Sequence, residues 1–383
     1  MPNIFQDIFK PQVLTKVISQ RVEASGALLK EFGVQPGGPN ETNMGHGRLG
    51  AYHIFNNTLK TAQGRAPGTA AGRMQMQIAS RVPFEYPRMH SSIPLLAEQV
   101  NNIGRIDDPA TRDKAGAKMI QMQTGYLAQL ASNWRTAMLV GMLRDSLYYK
   151  IVGDSWYWTY ASANSSGQLQ TRVPAGNKSQ LNMVGGGNII STSWATTASA
   201  DIPTNLYSIH AAFQRLTGSG LAKIVTTSQI WSLVLKNDAV QEAHGTANQP
   251  YEILSKETAS GPDGKPVQNF KARLSFMPWC EWCITDEGLE IGEPGAEVFT
   301  PHVPANTAFF VASDTVTGGA DIECYVAGEP VAEYDGGPKT ERFGLSAWSR
   351  EISNPTSTEL FVLDNALMLH QVPSNLAIGT VVF

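Results

Sequence analysis

The chain is 383 residues long, 42% hydrophobic and 16% charged, with a formal net charge of −4 and 3 cysteines. That length and apolar content give room for two or three domains with real cores and exclude global disorder. The negative balance argues against a dedicated nucleic-acid binder, whose affinity rests on neutralising phosphates; so few cysteines cannot build a disulfide framework, which makes a reducing compartment the default.

The charged fraction lies below the usual quarter, which implies that much of the polar surface meets other protein. The N-terminal sequence MPNIFQDIFKPQVLTKVISQ lacks a basic start and an apolar core, so it does not read as a signal peptide. No run of about eighteen apolar residues occurs, so no membrane span is expected. Residues 4–32 read as one or two short amphipathic helices, striped by Ile4, Phe5, Ile8 and Phe9, then by Val13, Leu14, Val17, Ile18 and Val22. A Gly/Pro/Asn loop is expected at 36–50.

From 47 to 95 the sequence is rich in Gly, Arg and Ser and has no helical period. Residues 51–60 and 74–90 read as extended strands, and GRAPGTAAGR (64–73) between them has turn chemistry with no anchoring apolar residue. The expectation is a long two-stranded loop with its tip near 67–72. An arm with so few core candidates suits a subunit that reaches out to hold its neighbours.

Asp107-Asp108-Pro109 is a helix start signal, and a helical pattern runs on to about Lys150. About forty residues at 1.5 Å each would span roughly 60 Å. Ile120, Leu127, Leu130, Trp134, Met138 and Leu143 mark one broad face, which lacks the strict repeat of a coiled coil. That face is expected to lie on C-terminal strands carrying Leu360, Val362, Leu367 and Leu369. Residues 154–204, rich in Ser, Thr, Asn, Gly and Trp, read as irregular β structure or an insertion. Thr204-Asn205 starts a helix that Gly218 ends; LAKIVTTSQIW is a strand running into a helix. After a turn at GPDGKP (261–266), strands are expected at about 266–284 and 306–312, and 344–383 reads as several strands with a Pro-Ser-Asn break.

Trp279-Cys280-Glu281-Trp282-Cys283 is the sharpest chemical motif, with the spacing of a redox pair or half a zinc site. Its context reads as strand, not helix N-terminus, and Cys324 is the only other cysteine. The pair is therefore expected to be structural and reduced. The seven histidines are scattered and no HExxH occurs. The glycine runs at 37–38 and 185–187 do not sit between a strand and a helix bearing a lysine, and Gly218-Ser219-Gly220 is a helix stop, not a nucleophile elbow. No catalytic, cofactor-binding or metal-binding constellation emerges, so the chain does not read as an enzyme.

Charge is segregated. Arg48, Lys60, Arg65, Arg73, Arg81 and Arg88 stand against Glu85 alone, whereas Glu281, Asp286, Glu287, Glu290, Glu293 and Glu297 have no basic residue among them. Opposite patches in one chain suit head-to-tail contact between copies. Arg65, Arg73, Arg81 and Arg88 facing Glu287, Glu290 and Glu293 of a neighbour form the candidate inter-subunit contact.

Four stretches taken in order resemble one family: IPLLAEQVNNIGRIDDPATRDKAGAKM entering the long helix, IVTTSQIWSLVLKNDAVQEAHG, VPANTAFFVASDT, and LFVLDNALMLHQVPSNLAIGTVVF. The chain is similar to the major capsid proteins of tailed phages, the Hong Kong 97 fold, and most like the lambda-type head protein. The resemblance implies an α+β fold with an N-terminal arm at 1–46 and a long E-loop at 47–95. A P-domain follows at 96–204, with a spine helix at about 107–150 and 154–204 as the insertion. It further implies an A-domain at 205–340 and C-terminal strands returning to the P-domain at 341–383. By the same resemblance, copies form hexamers and pentamers of an icosahedral head around double-stranded DNA held without sequence-specific binding. A portal, a decoration protein and a separate scaffolding protein are the implied partners, since no long charged helical region precedes the arm. The implied location is the virion, after synthesis in the host cytoplasm. The rival readings are an encapsulin-type compartment shell and a Cys-x-x-Cys redox protein.

Overall fold

The structure, a computed structural model, describes residues 11–25, 27–46, 49–55, 78–95, 109–144, 148–152, 155–159, 169–171, 189–244, 250–260, 266–291, 295–313, 322–332, 339–353 and 356–383. Helices and strands are mixed, and the chain divides into two compact units.

The first unit comprises Met1–Gly50, Phe84–Leu139 and Ile322–Leu369. Helix α1 (Pro11–Ser25) buries Leu14, Ile18 and Val22, one residue per turn, while Val13 is exposed. The short α2 (Ala27–Glu31) follows. Where the sequence promised only a loop, β1 (Glu41–His46) is a strand, parallel to β15 (Ile322–Ala332). ETNMGH has little strand propensity; the pairing with β15 imposes the extended form. β15 also pairs with β16 (Lys339–Phe343) and β19 (Ala366–His370).

A second sheet of this unit has the order β17 (Ser346–Ser353), β18 (Thr356–Asp364), β4 (Met89–Leu95), antiparallel throughout. Helix α1 packs on β17. There the Thr15 hydroxyl accepts from the N–H of Ala347 at 2.9 Å and donates to the carbonyl of the same residue at 3.2 Å. β2 (Leu49–Phe55) and β3 (Ile78–Glu85) pair as a two-stranded ribbon, as the sequence led one to expect. Its tip at 64–73 lies outside the described residues. Met89–Leu95, read as the C-terminal end of that arm, instead belongs to the sheet with β18, where Met89 and Leu95 are buried.

The long helix α3 (Pro109–Leu143) begins with Pro at the first helical position and spans 35 residues, seven fewer than the periodicity implied; Tyr148–Val152 is already strand β5. Its buried positions include Ile120, Leu127, Ala131, Met138 and Leu143, and the predicted covering residues Leu360, Val362, Leu367 and Leu369 are buried as well. Leu130 and Trp134, counted in the expected stripe, are only half-buried, and Arg135 takes a fully buried place beside them.

The second unit comprises Ala51–Pro83, Val140–Asp321 and His370–Phe383. Its six-stranded sheet runs β20 (Leu376–Thr380), β14 (Thr307–Ala312), β8 (Leu221–Thr226), β11 (Glu281–Ile284), β10 (Pro266–Leu274), β9 (Tyr251–Ser260), with β8 and β11 parallel. β9, which the sequence reading did not assign, pairs with β10 as a hairpin partner. The chain's last strand pairs with β14 here. Helix α4 (Ile202–Thr217) is capped by the Asp201 carboxylate, which accepts from the Thr204 N–H at 3.1 Å, and ends at Gly218, whose φ of 79° closes the last turn. Thr227 caps α5 (Ser228–Lys236), and Asn237 caps α6 (Asp238–Ala243). Ile202, Leu206 and Phe213 of α4, Trp231 of α5 and the core-facing Ile224, Trp282 and Phe310 form one apolar cluster with Trp194. Smaller sheets join β5 to β6 (Ser155–Thr159) and β7 (Leu169–Thr171), and pair β12 (Gly288–Ile291) with β13 (Val298–Pro301). The region 154–204 therefore carries β structure at its start and irregular chain from 191 to 201.

Candidate functional site

The cysteine motif does not sit on a continuous strand. Residues 275–280 turn between β10 and β11, and the Cys280 N–H donates to the Met277 carbonyl at 3.1 Å. Cys283 is in β11, and all three cysteines are free and buried. Burial pushes the Cys280 thiol far up, with the neighbouring Cys283 adding to it. Burial also drives Cys283 up to about 11 against the pull of Lys223 and Lys271. Such thiols are protonated at neutral pH and shielded from oxidants, the opposite of a nucleophilic pair. Among the described residues, no group of three or more His, Cys, Asp or Glu side chains is placed to hold a metal. No described helix is long and apolar enough to cross a membrane.

The acidic segment 281–297 is not a uniform patch. Glu281 forms an ion pair with Arg273 across the strand pair. The Asp286 carboxylate accepts from the Ser228 N–H at 2.9 Å at the start of α5. Glu287 accepts from the Asn269 amide at 2.7 Å and lies 3.9 Å from the buried ring of His302. Glu290 and Glu297 are exposed, and Glu293 lies outside the described residues. On the basic side, Arg88 pairs with Glu329 of its own chain at 2.7 Å. Arg81 sits in β3, with its side chain outside the described set, as are Arg65 and Arg73. The Glu297 carboxylate, though exposed, accepts from the Gly295 N–H at 2.7 Å, so four of the acids and one of the arginines are engaged locally.

Sequence reasoning passed over the strongest electrostatic feature of the described chain. Arg135, fully buried, donates from Nε and Nη2 to the two carboxylate oxygens of the equally buried Asp364, at 2.7 and 2.9 Å. Its Nη2 also reaches Glu41 at 2.9 Å, and Nη1 the Val34 carbonyl at 3.4 Å. Burial, the largest single influence, would lower the pKa of this guanidinium; the Asp364 charge and hydrogen bond, together with the neighbouring Cys324 and Glu41, outweigh it and the net shift is upward. One side chain thereby ties α3 to β18, to β1 and to the segment after α2. It locks the helix to β18, 229 positions away in sequence, and to β1, 94 positions away.

No protein-family model matches the sequence, and no curated protein does. Solved structures do. A crystal structure assigned as the capsid protein of a prophage of Escherichia coli CFT073 aligns over 97% of this chain and 97% of its own, at 9% identity and a TM-score of 0.52. A phage-related protein from Bordetella bronchiseptica RB50 aligns over 95% of both chains, at 9% identity and a TM-score of 0.46. An encapsulin complex from Synechococcus elongatus PCC 7942 covers 80% of this chain and 77% of its own, at 9% identity and a TM-score of 0.36. At these identities a likeness speaks to fold, and the first match carries it: this chain has the mixed α and β fold of a phage capsid protein.

Proposed function

We propose that this chain is a non-enzymatic shell subunit, the major capsid protein of a tailed phage. Many copies assemble as hexamers and pentamers into an icosahedral head around double-stranded DNA. The observation that carries the reading is the end-to-end match of fold to a capsid protein, with 97% of each chain aligned. In this reading residues 1–46 are the N-terminal arm, 47–95 the E-loop, 96–204 the P-domain with α3 as its spine, 205–340 the A-domain and 341–383 the returning strands. The ribbon of β2 and β3 supports the E-loop assignment. An isolated two-stranded ribbon is marginal in water, so it gains order from a neighbour. The neighbouring copy's acidic segment, with Glu290 and Glu293, is the contact for Arg65, Arg73 and Arg81, while Glu287 and Arg88 are engaged within their own chain. The chain's net charge of −4 lets DNA pack and leave without tight binding. A separate scaffolding protein, a portal and a decoration protein complete the particle, made in the host cytoplasm and located in the virion.

Electron microscopy of the purified chain tests this directly. Uniform shells are expected from the full chain, and a folded, soluble subunit that forms none is expected after deletion of 62–75. Normal, stable shells from the deletion variant would show the arm to be an ordinary surface loop. Particles that hold protein cargo and no nuclease-protected DNA after expression with the neighbouring genes would favour the compartment reading.

A further inference from the structure

The exposed side of α3 combines features that contact with water alone does not call for. Lys114, Lys118, Met122 and Tyr126 are all exposed and recur at every fourth position. They form one ridge about 18 Å long at 1.5 Å per residue. Met122 is 66% and Tyr126 60% exposed, so two of the most exposed large apolar side chains among the described residues stand one turn apart. No Asp or Glu occurs from 114 to 144; Asp113 precedes the ridge and Asp145 lies beyond the helix. Helix α1 adds a further cation. The Arg21 guanidinium donates from Nη1 to the Gln121 carbonyl at 2.7 Å, and a Cβ added at position 125 would stand 2.7 Å from that same nitrogen. Glycine at 125 therefore lets a guanidinium lie across α3, level with Met122 and Tyr126.

Charge and shape narrow the occupant. The same face of a second copy would set cation against cation. Duplex DNA would meet only the three cations Arg21, Lys114 and Lys118, and a phosphate backbone gives Met122 and Tyr126 nothing to pack against. A strand finds no free backbone groups to pair with along a helix interior. A helix with one apolar face bordered by carboxylates meets every requirement. Its ridges pack beside the 114–126 ridge, its apolar residues cover Met122 and Tyr126, and its carboxylates face the three cations. We infer that the exposed face of α3, centred on Met122 and Tyr126 and bordered by Lys114, Lys118 and Arg21, is the docking site for an acidic amphipathic helix of a different protein. This goes beyond the shell-subunit reading and does not depend on it. Burial of the thioether and the phenol ring supplies the affinity, and the cations supply register and steering.

The probe is a fluorescently labelled three-heptad peptide with leucine at the a and d positions and glutamate at e and g. The unassembled full-chain subunit is titrated into it and anisotropy is followed. Saturable binding in the micromolar range, weakened by salt, is the expected result. Met122→Ala with Tyr126→Ala is expected to weaken it by at least about tenfold. Lys114→Glu with Lys118→Glu is expected to abolish it and to confer binding of the same peptide carrying lysine at e and g. All four side chains are exposed, so both double variants are expected to keep the wild-type thermal unfolding, which separates a lost contact from a lost fold. No saturable binding by the wild type, unchanged affinity in either double variant, or no reversal of charge preference overturns the inference. Tighter binding of a duplex DNA that the same substitutions remove also overturns it, as does self-association of the subunit that Met122→Ala with Tyr126→Ala removes. Shells in electron micrographs without peptide binding remove this inference alone, whereas peptide binding by a chain that forms no shells removes the shell-subunit reading alone.

Discussion

Replacing Arg135 by Met is the most demanding test of how the first unit is held together. The substitution keeps much of the volume and deletes the charge. It leaves Asp364, fully buried, without the two charge-assisted hydrogen bonds at 2.7 and 2.9 Å. Such bonds contribute about 1.5–3 kcal/mol each, which gives about 3–6 kcal/mol. Breaking a buried ion pair by removing one partner typically costs about 3–5 kcal/mol. Glu41, at 14% side-chain exposure, turns to water and adds little. The expected loss is about 4 kcal/mol, close to a thousandfold in the unfolding equilibrium. Urea unfolding of the unassembled subunit, followed by tryptophan fluorescence, measures it. The companion variant carries Arg135→Met and Asp364→Leu together and is expected to recover more than half of that loss, because an apolar pair of similar volume needs no compensating charge. A loss below about 1 kcal/mol in the single variant, with an unchanged denaturant slope, would refute the claim that this pair is dry and structural.

Three further outcomes are expected. His302 is held neutral down to about pH 4, by burial first and then by the Arg144 charge, and His370 down to about pH 3 by burial. Both folded values lie below the unfolded value near 6.5. Their contribution to stability is therefore full above about pH 6.5 and is lost as pH falls toward 4 and 3, and each steepens the loss by about 1.4 kcal/mol per pH unit. Urea midpoints measured from pH 7 to pH 4 are expected to fall less steeply in His302→Gln, and equal slopes would remove the assignment. Asn237, fully buried, donates to the Thr197 and Ala200 carbonyls at 2.7 Å each while accepting from the Val240 N–H at 3.0 Å. Asn237→Asp turns oxygen toward oxygen and is expected to cost about 3 kcal/mol or more by thermal or chemical unfolding. Burial holds Cys283 up to about 11 and Cys324 up to about 12, so iodoacetamide at pH 8 is expected to label none of the three cysteines until the protein is unfolded; rapid native labelling of Cys280 or Cys283 would revive the redox reading.

What was legible in the sequence was local. Gly218 after α4 and Pro109 at the head of α3 are stop and start signals carried by one residue, and the structure uses both, whereas the start read at Thr204-Asn205 falls inside the first turn of α4, which Asp201 caps. The features missed are set by partners far away in sequence. ETNMGH is a strand because β15 lies beside it. Arg135 is core because Asp364, 229 positions later, meets it, and a hydrophobic stripe read from periodicity leaves out any charged residue. The stripe on α3 drifted for the same reason: Trp134 and Leu130 fit an apolar pattern, but Ala131 and Arg135 are the residues turned inward. The acidic segment shows the complementary error. Charge counting treats Glu281, Asp286 and Glu287 as one field with Glu290, although the fold occupies the first three with Arg273, the Ser228 N–H and Asn269.

The double hydrogen bond from Thr15 to Ala347 has a consequence for how copies can grow together. A strand at the margin of a sheet is a template on which any chain can crystallise, and a protein made in many copies runs that risk at every encounter. By answering both backbone groups of one residue with a single hydroxyl, α1 leaves β17 without a matched donor and acceptor at that step of its outer edge. Thr15→Val would leave both backbone groups of Ala347 unanswered beneath α1, a weak step at which the edge of β17 could open to a strand from another molecule.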